Sequence, residues 1–477
     1  MQITVLDNLW CETTDHIDEV ERTLRWKVKG ARFAPSFKNG MWDGYKKMTR
    51  RRGERIRFPV GLLDEVLKQP WAQGAVITDN RYVPQEAGLH YGDYDWQTNL
   101  TPEQQAVVEA GVAAGRGILG APTGFGKGRI IGETIRRLNA PTLVLVDKKD
   151  LLYQLHDTLE EVLDCEIGII GDGHHIESLA TACVVATIQT IAKGLASDEP
   201  QFWTNFLDSF DCIIVDETHH AQSDSYELVL KTAKRAYYRL GYSATAFKSY
   251  EGRNTDRSSY LKVQAWLGPP VAAVSLQAGV DAGRIVPADV FFISDCTPTL
   301  WGTAADHPIN WKQDYQFRIV NNDMRNIVIC KLAEGLNGQT VILVDRQDHG
   351  EALANAIGCS YVYGSTPSKT RKILYSAFQK GDLKTLVIGK LGAEGLDLPN
   401  IDNLILAGGG QAPHLTIQKV GRGMRTSEGK THVSVFDFED YGKYVSKHSR
   451  KREKTYEKES AYTLTKLTSR GLINMLS

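Results

Sequence analysis

The sequence predicts an α/β fold: two tandem, doubly wound parallel-sheet lobes preceded by a small α+β domain. Three observations carry this expectation. From Gly117 onward, short apolar runs (GILGAP, PTLVLVD, CVVAT, CIIVDE, YRLGYSAT) alternate with amphipathic stretches. Each is β-branched or leucine-rich and ends in a polar or glycine-containing turn, as strands buried on both faces of a parallel sheet do. A second series follows: TVILVD, YVYG, TLVIG, NLILAGG and THVSVFD. Residues 1–95 have another texture, with fewer apolar strands and many aromatic and basic residues. The expected divisions are 1–95 for the small domain, 96–280 and 281–445 for the lobes, and 446–477 for a basic, charge-rich helical tail.

Composition sets the class. The chain has 477 residues, 42% hydrophobic and 24% charged, with a formal net charge of -1. That is ordinary for a globular protein of several cores, and no apolar window is long enough to span a bilayer. The N-terminus, MQITVLDNLWCETTD, carries acids where a signal peptide has a basic head. The seven cysteines are scattered singly, without zinc-ligand spacing. A cytoplasmic protein with reduced thiols, no membrane contact and a monomeric state is the expectation.

The chemistry is expected just beyond the carboxyl ends of the strands. After GIL comes GAPTGFGKG, where Gly124 and Gly126 let backbone amides approach phosphate oxygens and Lys127 adds a charge for the β and γ phosphates. Gly128 stands where such loops usually place the Ser or Thr whose hydroxyl ligates Mg²⁺. Magnesium keeps several waters readily, so one more water is tolerable there. After CIIV comes Asp216-Glu217-Thr218-His219, which offers one acid for a metal shell and a second to orient or deprotonate an attacking water.

These residues, with Ser243-Ala244-Thr245 and the run QKVGRGMR from Gln418 to Arg425, resemble the ordered motif set of the DExH-type superfamily 2 helicases and translocases. The match spans about 95–440 and implies RecA-like lobes and ATP with Mg²⁺. It implies that Gln104, with Gln105 as alternative, reads adenine, that Lys127 holds phosphates, and that Asp216 holds Mg²⁺ directly or through water. Glu217 would act on the water, while His219, Ser243 and Thr245 would couple hydrolysis to lobe movement. Gly395 and Asp397 in EGLDLP would touch the nucleotide, and Gln418, Arg422 and Arg425 would complete the catalytic set, the arginines as fingers to the γ-phosphate. Gly389 departs from the Thr that many relatives carry in their fifth motif.

A nucleic-acid track has evidence of its own. Between Arg22 and Arg57 thirteen Lys and Arg stand against two acids, Asp43 and Glu54, interleaved with Trp26, Phe33, Phe37, Trp42 and Tyr45. Cations attract phosphates and aromatic faces stack on unpaired bases. Lys46, Lys47, Arg50, Arg51 and Arg52 are expected in a phosphate-binding loop, whereas Trp26, Phe33 and Trp42 also suit a small core. The run KNGMWDGYKK followed by FPVGLLDEVL is similar to the N-terminal domain of phage UvsW-type DNA helicases, which implies branched or forked DNA, recombination or repair, and a bacterial or phage-infected cytosol. RNA stays open as a track. A restriction-system translocase and an ATP-gated DNA clamp with little hydrolysis are the competing readings. A second basic run, Lys443 to Arg452, reads as a solvated helix or a second DNA contact.

Overall fold

The computed structural model describes residues 1–92, 100–174, 182–244, 257–297, 310–389, 400–410 and 419–476. The chain divides into two compact units. Met1–Ala121 and Lys127–Val274 form the first; Pro122–Gly126 and Ser275–Ser477 form the second.

Each unit is built on a seven-stranded, all-parallel sheet. In the first the strand order is Gly168–Ile170, Cys183–Thr187, Thr142–Val146, Cys212–Asp216, Tyr238–Ser243, Arg116–Gly120, Pro270–Ala273. In the second it is Ser360–Val362, Thr385–Gly389, Thr340–Val344, Asn403–Leu406, Val433–Phe438, Ala288–Ser294, Tyr462–Thr468. Central strands such as Thr142–Val146, Cys212–Asp216 and Thr340–Val344 are buried at every residue. That burial is why they read as unbroken apolar runs rather than alternating ones.

The N-terminal region has a sheet of its own, ordered Arg50–Arg52, Arg55–Pro59, Trp10–Thr13, Gln2–Val5, Val76–Asp79. It shares one continuous core with the first lobe: Ile3, Val5, Ile56, Phe58 and Leu62 pack in the same cluster as Ile118, Leu143, Val215 and Trp266. Trp10 meets Trp266 edge-on at 5.8 Å. Asn8 Nδ2 donates to the carbonyl of Arg235 at 2.8 Å, and the buried Arg116 guanidinium donates to the carbonyl of Asn8 at 2.7 Å.

The residues expected as a helical tail, 446–477, are helical at Ser446–Lys458 and Ser469–Leu476. Between these helices Tyr462–Thr468 pairs with Ala288–Ser294 as an edge strand of the second sheet. Arg452, counted in the second basic run, is a buried residue rather than a DNA contact. It donates to Asp437 at 2.8 Å, Asp440 at 2.9 Å and the carbonyl of Gly410 at 2.9 Å. A charge so paired belongs to the interior, because no solvent remains to screen it.

Candidate active site

Three neighbouring strands of the first sheet place the chemistry. Arg116–Gly120 leads into the glycine-rich segment, Cys212–Asp216 into Glu217, and Tyr238–Ser243 lies between them. The segment needs its glycines, since Gly124 and Gly126 adopt φ of +84° and +80°, where a side chain is strained. The helix Lys127–Leu138 then begins at the lysine.

Lys127 is the hub. Its ammonium donates to Glu217 Oε1 at 2.5 Å and lies 3.4 Å from Asp216 Oδ1. Burial works against the ammonium, but the charges of Asp216 and Glu217 outweigh it and hold the lysine protonated well above its usual range. Burial likewise opposes the Glu217 carboxylate, and there the Lys127 charge and the His219 partner win, holding it ionised far below the ordinary glutamate range. His219 Nδ1 stands 3.3 Å from Glu217 Oε2. Asp216 moves the other way, because burial raises its pKa more than Lys127 lowers it. The two neighbouring acids are thereby differentiated, one held as a carboxylate and one easier to protonate.

Glu217 sits in left-handed backbone conformation, φ 51° and ψ 58°. Such a conformation costs a non-glycine residue of order 1–3 kcal/mol, and its surroundings must impose it. Thr218 does this. Fully buried, it donates its hydroxyl to the carbonyl of Tyr242 at 2.9 Å, tying the acid turn to the strand that ends in Ser243. Ser243 is itself buried, and its carbonyl accepts from Ala121 N at 3.2 Å, next to the glycine-rich segment. Thr218 stood in the motif without a role, because its partner Tyr242 is 24 residues away in sequence. His220 was also missed; its Nε2 stands 3.2 Å from Asp147 Oδ2, and Asp147 follows the strand Thr142–Val146.

Gln104 has a structural task. Its carboxamide oxygen accepts from Thr101 N at 2.8 Å, and Thr101 Oγ1 accepts from Gln104 N at 3.3 Å, a capping box at the start of Pro102–Ala114. The spacing Thr101-x-x-Gln104 was visible as that signature. Gln105, the alternative adenine reader, is half-buried beside it. Thr245, Gly395, Asp397 and Gln418 lie outside the described residues.

In the second unit, Arg422 and Arg425 are both half-buried. Residue 425 forms a bridge with Ile285, and burial pushes its guanidinium down to about 10. The segment Pro122–Gly126 groups with this unit, and a Cβ on Gly124 would stand 3.0 Å from Arg425 Cγ. Lys419, one residue past Gln418, pairs with Asp345 at 3.1 Å.

The basic residues expected in one loop lie on strands. Lys46 and Lys47 belong to Tyr45–Lys47, paired with Arg25–Lys27, and Arg50, Arg51 and Arg52 form an edge strand paired with Arg55–Pro59. All five are exposed. Lys47 pairs with Glu21 at 2.9 Å and Arg51 with Asp18 at 2.7 Å, while Arg50 covers the Trp10 ring at 4.6 Å. A strand spaces alternate charges evenly along one face, which a loop does not, and the hairpin turn at Gly53-Glu54 holds them there. Trp26 is core, as one reading had it, and Phe33 is exposed.

Gly128 has a packing reason. A Cβ there would stand 2.8 Å from Thr158 Cγ2 on the neighbouring helix Lys149–Leu163. Thr158 cannot swing aside freely, since its hydroxyl donates to the carbonyl of Gln154 at 2.8 Å. We expect Gly128→Ser alone to destabilise the chain by about 1–3 kcal/mol through overpacking. Adding Thr158→Ser, which removes the offending methyl, should recover most of that loss in urea unfolding. A fully stable single variant would show that close packing is not what keeps glycine here.

As to metal, Asp216 Oδ1 is buried, receives no hydrogen bond, and has the Lys127 ammonium as its ionic neighbour. A hard, oxygen-ligating cation such as Mg²⁺ suits that donor. Among the described residues, no helix is long and apolar enough to cross a membrane.

Two family models match this chain. Residues 97–248 match the family described as type III restriction enzyme, res subunit, and residues 323–427 match the helicase conserved C-terminal domain. The chain is similar to the ATP-dependent DNA helicase uvsW of Enterobacteria phage T4, 23% identical over 90% of this chain and 87% of that one. It is also similar to the DNA 3'-5' helicase XPB of Mycobacterium tuberculosis, 24% identical over 64% of this chain and 53% of that one. Rad25 of Haloarcula marismortui is 25% identical over 76% of this chain, which spans 55% of the length of that relative. Among solved structures, a fragment of an HsdR subunit of a type I restriction enzyme from Vibrio vulnificus shares the fold at TM-score 0.57 and 19% identity. That match covers 80% of this chain and 70% of that one. With both tandem domains matched and the acid-lysine site built on parallel strand ends, the chain belongs to the superfamily 2 helicases and resembles those of the UvsW type.

Proposed function

We propose that this protein hydrolyses ATP to unwind or remodel branched DNA, as recombination, fork processing or repair requires. One observation carries the reading: Lys127 bridges Asp216 and Glu217 at the end of the strand Cys212–Asp216, and in sequence it directly follows a glycine turn able to cradle phosphates. ATP would place its phosphates on the amides around Gly124 and Gly126 and draw Lys127 from its carboxylates. Glu217, kept ionised and held by His219, would accept the proton of the attacking water. Asp216 would hold Mg²⁺, which when bound neutralises phosphate charge. Arg422 and Arg425 are proposed as the guanidinium donors to the γ-phosphate. Ser243, Thr245, Gly395, Asp397 and Gln418 keep the roles that the resemblance implies, and Gln105 becomes the preferred adenine reader because the Gln104 oxygen is engaged in its cap.

DNA is favoured by the exposed cations of residues 25–57 and by the names of the relatives, several of which are DNA helicases. The deciding experiment measures ATPase stimulation by single-stranded, duplex, forked and four-way DNA and by RNA at one salt concentration, since phosphate contacts make affinity salt-dependent. Strongest stimulation by branched DNA is the expected result. Stimulation by duplex alone would replace the remodelling reading with a translocase, and equal stimulation by RNA would end the DNA assignment.

A further inference from the structure

The strands Arg25–Lys27 and Tyr45–Lys47 form a two-stranded ribbon whose connection, residues 28–44, is a folded excursion rather than a simple turn. Its base is fixed. Leu24, Trp26 and Met48 are buried in the core shared with the first lobe, Val28 N donates to the carbonyl of Gly44 at 2.9 Å, and Trp42 Nε1 donates to the carbonyl of Tyr45 at 2.7 Å. Phe37 packs against Gly44, where a Cβ would stand 3.0 Å from its ring.

Two large apolar side chains of the outer part are exposed. Phe33 is 67% exposed and Met41 77% exposed. Neither serves the core, since Phe37 and Ala31 already fill the inside of the excursion. The Arg32 guanidinium lies over the Phe33 ring at 4.8 Å, stiffening it and adding charge to it. Lys27, Lys29, Lys38 and Lys46 are exposed around it and have no carboxylate at ion-pair distance among the described residues. The one acid on the excursion, Asp43, is 3.9 Å from Arg25. Exposed apolar side chains on one excursion that also carries exposed, unpaired lysines are complementary to nucleobases flanked by phosphates, and the charge opposes an apolar protein partner.

We propose that Phe33 and Met41 form a wedge that enters a DNA junction and stacks on the first unpaired base, separating the strands while the surrounding lysines hold both phosphate backbones. The proposal rests on the DNA reading above and names the element that parts the duplex. Alternate basic residues on the edge strand Arg50–Arg52 supply further phosphate contacts along the same region of chain.

The test uses the full chain and forked DNA with 2-aminopurine at the junction, without ATP. Wild type should raise the fluorescence on binding, as the base leaves its neighbour. Phe33→Ala/Met41→Ala should bind the fork with the loss of about a factor of ten expected for one missing stack, without the fluorescence rise. Phe33→Trp should keep the rise. Both side chains are solvent-exposed, so the variants should fold, and an unchanged urea-unfolding midpoint with unchanged ATPase in the absence of DNA should confirm it. A rise that persists in the double alanine variant, or equal losses in single-strand stimulation and in fork opening, would overturn the wedge. Failure of the wild type to bind any DNA would overturn the DNA reading itself and the wedge with it.

Discussion

Replacing Glu217 with Gln is expected to lower the turnover of ATP by about 10²–10⁴-fold while leaving ATP binding within a few-fold of the parent. The carboxylate is kept ionised by Lys127 at 2.5 Å and by His219 at 3.3 Å, ATP phosphates that draw Lys127 away would restore its basicity, and a carboxamide of the same shape can accept no proton. The substitution is close to isosteric, so the left-handed turn at residue 217, pinned through Thr218 to Tyr242, should survive. Phosphate release under saturating ATP and DNA measures the turnover, and quenching by a fluorescent nucleotide measures the binding. Lys127→Ala should differ in kind: it removes the phosphate contact and leaves Asp216 and Glu217 facing each other, so binding should fail as well. Turnover in the Glu217 variant within threefold of wild type would transfer the base role elsewhere, with Asp216 the nearest candidate.

The largest effect on stability is expected at Arg452→Ala, about 3–5 kcal/mol. Arg452 is buried, joined to Asp437 and Asp440, while Arg325 joins Asp440 at 2.8 Å and the Tyr456 hydroxyl donates to Asp437 at 2.7 Å. Burial disfavours the guanidinium, but the two carboxylates outweigh it and raise its pKa well above the usual value. Removing the arginine leaves two carboxylates in a low-dielectric interior with one cation between them. Arg452→Lys should recover a part only, because one ammonium cannot fork between Asp437, Asp440 and the carbonyl of Gly410. Urea unfolding followed by near-ultraviolet circular dichroism reads both. A loss below 1 kcal/mol for the alanine variant would show that water or a rearranged Arg325 replaces the pair.

The parallel strands were legible in the sequence because burial on both faces leaves them no reason to alternate: CIIVD and TVILV announce themselves. The acid pair and the lysine were legible as polar groups following apolar strands, and the structure brings them together. What escaped were partners distant in sequence. Arg452 looked like surface charge, since nothing in KHSRKRE shows that Asp437 and Asp440 enclose it. The basic cluster was read as a loop because like charges in a row suggest solvation, whereas Ile56 and Phe58, buried alternately with exposed Arg55 and Arg57, turn the stretch into a hairpin. Gln104 was read as an adenine reader only, and the cap that it forms with Thr101 is what the structure adds.

The shared core of the N-terminal sheet and the first lobe has a consequence for how the molecule can be cut and recombined. Cleaving the chain ahead of Leu100 would strip Trp266 of its Trp10 neighbour and Arg116 of the carbonyl it feeds, presenting a wet, greasy scar where a clean joint would be expected of an exchangeable module. The N-terminal sheet and the first lobe are cast in one piece, so a displacement of either carries the other with it.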